Sequence, residues 1–256
     1  MKLTSIHAIS PASLDDLATL YQLVFAGHPW HEDLLCLRCT AEAEKRAAAD
    51  GGAVEIRLYT TNACSKSHSG PAPTLLLGAA PTCPECNSAL SAYYPDYKDH
   101  HELLAEALTQ PRFVGYLGRV GEELAGFSFG YSVPSVDTKT VAFTMVVPLL
   151  ERKGLSPSRC FYAAETGIAD AFQRAGFGSA LTGKRLLDLP GADFDVVIAR
   201  TANEAVHAYF RRQFGGRDGE KLFDDPVKPG SSWFKWNMAD FDERTTRELV
   251  ARVSKT

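Results

Sequence analysis

Two glycines one residue apart, Gly176 and Gly178, precede a stretch with helical character, SALTGKRLLDL. Glycine leaves main-chain N–H groups unshielded and lets the backbone curl around a bound group without Cβ clashes. A helix N-terminus also offers unpaired N–H donors and a partial positive charge. The residue types and their spacing therefore predict a phosphate or pyrophosphate site before the helix that begins near Ser179.

Three anion-binding motifs compete for this stretch. Gly178–Lys184 spells G-x-x-x-x-G-K, but Arg185 stands where a P-loop needs the Ser or Thr that holds Mg²⁺. The dinucleotide fingerprint G-x-G-x-x-G fails because Leu181 replaces its third small residue. The third motif is Q-x-x-G-x-G, spelled by QRAGFG at residues 173–178.

This third motif resembles the acetyl-CoA signature of the GNAT-type N-acetyltransferase superfamily. The preceding strand is similar to the family's fourth strand, with Ile168 at the apolar position five residues before Gln173. The strand DVVIAR (195–200), Asn203 and the helix that follows are similar to the family's next strand and helix. When residues 31–90 are left out, the order of helices and strands in residues 3–133 also resembles the order found in the family.

The resemblance implies a cofactor, acetyl-CoA, and the residues that would hold it. The pyrophosphate would lie on the amides of the loop, and the pantetheine arm would pair with the main chain near Ile168 and Ala169. Arg174 would supply the positive charge that Gln173 lacks. The implied cofactor site comprises Ile168, Ala169, Gln173, Arg174, Ala175, Gly176, Phe177, Gly178, Ser179 and Asn203.

Acetyl transfer to an amine needs a base for the amine and a proton for the departing thiolate. Glu165 is an acid in an otherwise apolar strand, where burial would raise its pKa towards that of a base. Strand alternation predicts that it shares a face with Phe161 and Ala163. The resemblance implies that Glu165 is the base, because members of the family often have a glutamate at this position that accepts the proton directly or through water. The alternative is that Glu165 is a structural carboxylate with an ionic partner.

The resemblance places a tyrosine acid seven residues after Asn203, where this chain has Phe210. Tyr209 stands one position earlier, and one helical step turns a side chain by about 100°. Either the helix begins one residue later, with Tyr209 as the acid, or the acid is missing. His207 on the same helix is expected to be a surface or core residue.

The loops that correspond to the family's acceptor site are residues 27–33, GHPWHED, and the irregular segment 134–159. Trp30, Glu32 and Asp33 are the candidate substrate contacts. Acidic and aromatic side chains suit a cationic amine.

Two C-x-x-C pairs, Cys36/Cys39 and Cys83/Cys86, have the spacing of metal-binding knuckles. Asn87 can adopt the left-handed conformation that often closes such a knuckle. Four thiolates leave no open coordination position, so we expect a structural zinc site, with iron of rubredoxin type as the alternative. Cys64 and Cys160 are expected to lie outside it.

Length, composition and charge narrow the class of protein. The 256 residues are 45% hydrophobic, and the formal net charge is −4, which argues against a duplex nucleic-acid binder. The N-terminus has no signal-peptide pattern, and the longest apolar run, Val141–Leu150, is too short to span a bilayer. We expect a cytoplasmic protein with neither nucleic-acid nor membrane partners; its oligomeric state is not indicated.

The patterns of apolar residues predict mixed α/β (α+β) order with a mainly antiparallel sheet flanked by helices. Residues 1–256 would form one GNAT-type domain, into which residues 31–90 are inserted as a metal-binding segment. Ser13 is expected to cap the first helix. The further predicted helices are 98–109, 178–187 and 204–214, and the predicted strands include 112–120, 124–133 and 161–168.

The function expected from these patterns is transfer of an acetyl group from acetyl-CoA to the primary amine of a small molecule or peptide. The amine would attack directly in a ternary complex, because no nucleophilic Cys or Ser is recognisably placed. A non-catalytic acyl-CoA-binding module that acts through the metal insert is the alternative. A nucleotide-binding protein that uses Gly178–Lys184 is a further one.

Overall fold

The computed structural model describes residues 1–6, 11–26, 34–51, 58–59, 82–88, 90–92, 104–133, 141–189, 193–201, 203–226 and 231–254. The chain divides into two compact units. The first unit comprises Met1–Tyr21 and Lys98–Thr256, and the second is Gln22–Tyr97. That residues 31–90 form an insertion into one domain stays a prediction.

The first unit contains a seven-stranded sheet. Its strands are β1 (Lys2–Ser5), β5 (Val114–Val120), β6 (Glu123–Ser132), β7 (Cys160–Ile168), β8 (Val196–Thr201), β9 (Glu220–Asp224) and β10 (Ser232–Asn237). Their order across the sheet is β1-β5-β6-β7-β8-β10-β9. Neighbouring strands are antiparallel except for β7 and β8, which are parallel. The predicted mixed α/β class with a mainly antiparallel sheet flanked by helices is therefore confirmed.

Helices pack on both faces of this sheet. Those described are α1 (Pro11–Ala26), α3 (residues 104–108), α4 (Val141–Arg152), α5 (Phe177–Leu187), α6 (Glu204–Gln213) and α7 (Glu243–Ser254). Apolar residues of α4 form one core cluster with Tyr162, Ile198 and Trp233. Residues of α5 and α6 form another cluster with Phe161 and Ala163, on the opposite face of β7.

The helix α4 corrects the expectation that residues 134–159 are irregular. Its buried residues Phe143, Val146, Val147 and Leu150 follow the i, i+3, i+4, i+7 spacing of an amphipathic helix. Pro148 lies inside the helix but on its exposed side, where its ring does not disturb the buried face. Residues 134–140 lie outside the described part.

The helix α1 begins at Pro11, so Ser13 lies within its first turn and is not its cap. Proline suits the first helical position because its missing N–H would have no intrahelical partner there. Leu17, Ala18 and Tyr21 of this helix are buried.

The part of the second unit that the structure describes includes a small sheet and an exposed helix, α2 (Leu37–Asp50), which buries none of its residues. The three described strands, β2 (Leu34–Leu35), β3 (Leu58–Tyr59) and β4 (Ser91–Ala92), have two residues each, in the order β3-β2-β4. The one described hydrophobic cluster of this unit is formed by Cys36, Cys83 and Leu90. By itself this described cluster gives little hydrophobic stabilisation.

Candidate active site and candidate metal centre

Strands β7 and β8 separate partway along their length. They pair only at Cys160↔Val196, Phe161↔Val197 and Tyr162↔Ile198, although β7 continues to Ile168 and β8 to Thr201. Beyond Tyr162 the main chain of β7 therefore has no β8 partner. A parallel pair that diverges in this way leaves hydrogen-bonding groups at a gap, to which an extended ligand can add.

The main-chain groups of β7 that face this gap can be assigned from the hydrogen bonds on the other side. The N–H of Ala169 donates to the carbonyl of Ala125, which immediately precedes Gly126 in β6. Because these groups alternate along a strand, those of Ile168 face the gap. The Gln173 side chain donates to the Ile168 carbonyl at 3.3 Å. Of the two predicted pantetheine contacts, Ile168 is at the gap and the N–H of Ala169 is engaged elsewhere.

The register between β6 and β7 shifts beside the gap. Phe129 pairs with Glu165, and Tyr131 pairs with Tyr162, so Gly130 alone faces two residues of β7. An added Cβ at Gly130 would stand 2.4 Å from the Tyr162 carbonyl oxygen, which explains why glycine is required there. Such a bulge re-aims the side chains that follow it.

The bulge corrects the predicted orientation of Glu165. Phe161 and Ala163 pack with α5 and α6, as strand alternation requires. Glu165 instead lines a cavity on the other face together with Tyr162 and Ala164. The prediction that Glu165 shares the face of Phe161 was wrong because it assumed unbroken alternation.

This cavity has a volume of about 180 Å³. Its aromatic walls are Phe129, Tyr131, Phe143, Tyr162 and Trp233. Three charged side chains line it as well: Glu165 from β7, Arg200 from β8 and Glu106 from α3. Glu165 and Arg200 thus reach one cavity from the two strands that border the gap.

The electrostatics of the cavity combine burial with charge. Burial raises the pKa of Tyr162 to about 12 and also raises the pKa of Tyr131, so both phenols are protonated at neutral pH. Tyr162, then Glu165 and Asp225, raise the pKa of Arg200, while burial opposes them. The Nε of Arg200 lies 3.5 Å from Oδ2 of Asp225, whose side chain is 1% exposed.

A buried arginine supports the bulge from the opposite face. Arg185 on α5 is 1% exposed and donates from Nη1 to the carbonyls of Phe129, at 2.6 Å, and of Glu165, at 3.3 Å. Burial lowers its pKa to about 9, which Glu165 opposes, so Arg185 stays charged at neutral pH. Its guanidinium lies 5.9 Å from the centre of the Phe161 ring. Arg185 therefore fixes the cross-strand pair that carries Glu165.

The predicted anion loop ends in a helix without a side-chain cap. Arg174 and Gly176 have positive φ angles of 63° and 86°, with Ala175 between them, and such alternation turns successive N–H groups to one side. Gly176 is the N-cap of α5, and no side chain caps it. The first helical hydrogen bond runs from Ala180 to Gly176, so the N–H groups of residues 177–179 precede it.

Other predicted loop residues are part of the packing of α5. Phe177 is 7% exposed, within the cluster that includes Ile168. The Ser179 hydroxyl accepts from Arg212 at 3.1 Å, and its carbonyl accepts from Gln213 at 2.7 Å. These contacts hold α5 against α6 and the sheet.

The alternative P-loop is excluded by the same helix. Gly178, Gly183 and Lys184 all lie inside α5, so G-x-x-x-x-G-K forms no open cradle. The Lys184 ammonium is bound to the Asp188 carboxylate at 2.7 Å.

The helix α6 has the predicted start. Asn203 is its N-cap, and its side chain accepts from the N–H of Ala205 at 2.8 Å, so the alternative of a later start is wrong. Phe210 is buried, with its ring centre 4.3 Å from that of Trp236. Tyr209 points elsewhere: a Cβ on Gly178 would stand 2.9 Å from its hydroxyl oxygen.

Tyr209 therefore covers the first turn of α5. Burial raises its pKa, and Arg212 lowers it. His207 lies against the ring of Phe234, with ring centres 4.4 Å apart.

The four paired cysteines converge in the second unit. All their sulfur atoms lie within 4.8 Å of one another, with Cys36–Cys86 at 3.3 Å and Cys39–Cys83 at 3.7 Å. A tetrahedral metal with bonds of about 2.3 Å to sulfur needs S–S separations of about 3.8 Å, so the cluster fits such an ion.

The main chain around the cysteines has the geometry of a knuckle. The N–H of Cys39 points at Sγ of Cys36 at 3.5 Å, and the N–H of Asn87 donates to the carbonyl of Cys83. Asn87 has the predicted left-handed conformation, with φ of 56°. Ser88 lowers the pKa of Cys86 to about 6 through hydrogen bonds, whereas burial raises the pKa of Cys36 and hydrogen bonds from Cys86 and Cys36 raise that of Cys39.

Several predicted residues lie outside the described part. Trp30, Glu32 and Asp33 belong to this group, as does Cys64. Cys160 is buried, and its thiol donates to the carbonyl of Ser156 at 3.2 Å. Among the described residues, no helix has the length and apolar character needed to cross a membrane.

Sequence reasoning missed most of the cavity. Arg200 was visible as the charged end of the apolar strand DVVIAR, and Arg185 as a charge among the apolar residues of α5. Glu106, Tyr131 and Trp233 carried no signal, because they come from elements far apart in the sequence.

No protein-family model matches the chain, and neither does any curated protein. Some solved structures are similar to it. An acetyltransferase from Thermus thermophilus is 16% identical over 57% of this chain and 77% of that one, with a TM-score of 0.39. The protein PH1933 from Pyrococcus horikoshii is 12% identical over 55% and 75%, with a TM-score of 0.39. A mutant of the spermidine N-acetyltransferase SpeG from Vibrio cholerae is 12% identical over 96% and 99%, with a TM-score of 0.45.

Proposed function

We propose that the chain is a GNAT-type N-acetyltransferase, which moves an acetyl group from acetyl-CoA to a primary amine in a ternary complex. The observation that carries this proposal is the gap between β7 and β8. An uncapped helix start stands at the end of β7, and Glu165 and Arg200 face one cavity beside the gap. The proposed anion site thus lies just after β7, and the open edge of β7 leads from it to Glu165.

Acetyl-CoA would bind with its pyrophosphate on the N–H groups at the start of α5. Arg174 is exposed beside them and would add positive charge. The pantetheine arm would extend along β7, where the main chain of Ile168 lies at the gap. The thioester would then reach the cavity edge, where β7 and β8 meet at Tyr162 and Ile198.

Glu165 is the proposed base. It would accept a proton from the ammonium form of the acceptor, directly or through water, so that the neutral nitrogen attacks the thioester carbon. The C–N bond forms, the C–S bond breaks, and the nitrogen loses a second proton. One proton ends on the CoA thiolate and one in solvent, so the amine and acetyl-CoA give the amide and CoA thiol.

Tyr209 is the candidate donor of the thiolate proton. Its phenol is protonated at neutral pH because burial raises its pKa. It lies against Gly178 in the first turn of α5, beside the proposed pyrophosphate end of the cofactor, so its proton would reach the thiolate through intervening water; Phe210 is part of the core. Tyr209, one residue before the position that the resemblance implies, thus lies against α5.

The cysteine cluster would hold one structural zinc ion, with iron as the alternative. Cys36, Cys39, Cys83 and Cys86 would occupy all four positions of a tetrahedral ion, so the metal would take no part in acetyl transfer. It would stabilise the second unit, whose one described hydrophobic cluster includes Cys36 and Cys83.

A thiol-release assay tests the proposal. Purified protein with acetyl-CoA should release CoA only when a primary amine is added, and the product should be about 42 Da heavier than the amine by mass spectrometry, the mass of an added acetyl group less one hydrogen. Binding of acetyl-CoA without turnover on any amine would instead support the acyl-CoA-binding module. Absence of binding would refute both.

A further inference from the structure

The cavity beside Glu165 has two nitrogen donors on neighbouring strands. Arg200 of β8 and Trp233 of β10 are cross-strand partners, and both line the cavity. Side chains of directly opposed residues lie side by side on one face of a sheet. The guanidinium and the indole ring therefore lie next to each other at the cavity.

The indole N–H of Trp233 has no hydrogen-bond acceptor in the described part of the chain. Its nitrogen, Nε1, is buried, and the residue as a whole is 1% exposed. A buried donor without an acceptor is unfavourable, because it has lost water and gained no partner. Since Trp233 lines a cavity, a ligand oxygen that accepts this hydrogen bond would remove the penalty.

The guanidinium of Arg200 is engaged at one of its three nitrogens. Nε lies 3.5 Å from Oδ2 of Asp225, which is longer than the about 2.8 Å of a charge-assisted hydrogen bond. Among the described residues, this contact through Nε is the ion pair that Arg200 makes, so its two terminal nitrogens can bind a ligand. Their parallel N–H groups match the two oxygens of a carboxylate.

Charges of both signs meet at this cavity. Tyr162 raises the pKa of Arg200, burial opposes it, and Glu165 raises it further, so the guanidinium and the Glu165 carboxylate are within electrostatic range of each other. A ligand that carries a single charge, of either sign, would meet a like charge among the lining residues. A zwitterion instead brings a carboxylate for Arg200 and an ammonium for Glu165, and it adds no net charge to the cavity.

The volume of the cavity limits the size of this ligand. It is about 180 Å³, and an engineered cavity of about 150 Å³ is known to bind benzene. By that comparison the cavity has room for about six to eight non-hydrogen atoms, which is the size of the smaller α-amino acids.

We propose that the acceptor is a small α-amino acid, whose carboxylate binds the terminal nitrogens of Arg200 and the indole N–H of Trp233. This inference rests on the proposed function. After its ammonium loses one proton to Glu165, the nitrogen attacks the thioester carbon and loses its second proton to solvent. The C–N bond forms as the C–S bond of acetyl-CoA breaks, and the thiolate takes up a proton. The products are the N-acetyl amino acid and CoA thiol.

The test compares three acceptors that share one aliphatic body, with the full-length protein and acetyl-CoA. L-valine carries the carboxylate, L-valinamide replaces it with a neutral amide, and isobutylamine lacks it. We expect kcat/KM for L-valine to exceed that of the other two by at least about tenfold. An equal or higher kcat/KM for valinamide or isobutylamine overturns the inference but leaves acetyl transfer intact. If calorimetry shows no binding of acetyl-CoA, the proposed function itself is refuted.

Two variants link the preference to the proposed donors. Trp233→Phe removes the N–H and keeps an aromatic ring, and Arg200→Lys keeps the charge but removes the pair of parallel donors. Each should raise KM for L-valine by about tenfold or more, while kcat/KM for isobutylamine and the affinity for acetyl-CoA stay unchanged. Trp236→Phe is the matched control, because it removes a buried, unbonded N–H of the same kind from the cluster that contains Phe210. An unchanged KM for L-valine in either cavity variant, or an equal rise in Trp236→Phe, overturns the placement of the carboxylate.

Discussion

Arg185 donates a hydrogen bond of 2.6 Å to the main-chain carbonyl of Phe129, across the sheet from the cavity that Phe129 lines. The same nitrogen lies 3.3 Å from the carbonyl of Glu165, the cross-strand partner of Phe129. A buried cation is costly unless it is hydrogen-bonded, and here its bonds go to the two residues beside the bulge. The geometry of the proposed base is thus set from the opposite face of the sheet.

Replacement of Arg185 by Met should therefore affect the position of Glu165. Loss of the guanidinium leaves the carbonyls of Phe129 and Glu165 without this hydrogen-bond donor, which lowers the free energy of unfolding by about 1–3 kcal/mol. We expect kcat to fall about tenfold or more, with the KM for acetyl-CoA unchanged. The variant Arg185→Lys should recover part of the lost rate. Steady-state kinetics and thermal melts check this. A loss of stability with full kcat would show that Arg185 is structural only.

Glu165→Gln removes the proposed base and keeps its shape. We expect kcat to fall by about 10²–10⁴-fold, with unchanged affinity for acetyl-CoA, because proton transfer from the amine is lost. Thiol release measured across a pH series from acid to alkaline checks the prediction, with Glu151→Gln as the control at an exposed site. Full turnover at every pH would remove Glu165 from the mechanism.

Tyr209→Phe removes one hydroxyl and should leave the packing intact. We expect kcat to fall by about tenfold or more, since thiolate protonation then depends on water. Burial raises its folded pKa, so the phenol stays protonated through neutral pH and loses its proton only in the alkaline range. The wild-type rate should accordingly fall only in that alkaline range, and this alkaline limb of the pH profile should vanish in the variant. An identical pH profile would leave Tyr209 as a packing residue.

Gly176→Ala tests the anion loop. At φ of 86° an alanine is strained by about 1–2 kcal/mol, and relaxation of the turn would misplace the N–H groups. We expect the Kd for acetyl-CoA to rise at least about tenfold. Gly154→Ala is the matched control, since Gly154 has φ of 74° and open space around it. Equal affinity in the two variants would move the pyrophosphate away from this loop.

Cys83→Ser tests the metal centre. Metal analysis of the wild-type protein should find about one equivalent of zinc, and the variant should lose it together with thermal stability. Cys160→Ser is the control because that thiol lies outside the cluster and serine can keep its hydrogen bond to Ser156. Retention of both zinc and stability in Cys83→Ser would contradict a structural four-cysteine site.

Local pattern was enough to predict much of the fold. The strand, glycine loop and helix around Ile168 and Gly176 follow from apolar runs and from the freedom of glycine, and the cysteine spacing predicted a cluster that the structure brings together. The orientation of Glu165 could not be predicted because one residue, Gly130, opposes two on β7, and no periodicity encodes such a shift. The helix α4 was not predicted, although its buried residues have helical spacing and Pro148 lies on its exposed side.

The cavity depends on contacts between distant parts of the chain. Glu106, Tyr131, Glu165, Arg200 and Trp233 come from five different elements, and only the sheet order brings them together. The orientation of Tyr209 likewise depends on packing that the sequence does not reveal. Its position in the sequence suggested a missing acid, whereas the packing of Phe210 in the core turns Tyr209 towards Gly178.

Isothermal titration of the wild-type protein with acetyl-CoA is the most direct measurement of the central claim, that the gap between β7 and β8 and the start of α5 hold this cofactor. We predict saturable binding at one site per chain, with no heat from ATP under the same conditions. Absence of acetyl-CoA binding by folded protein would contradict the account.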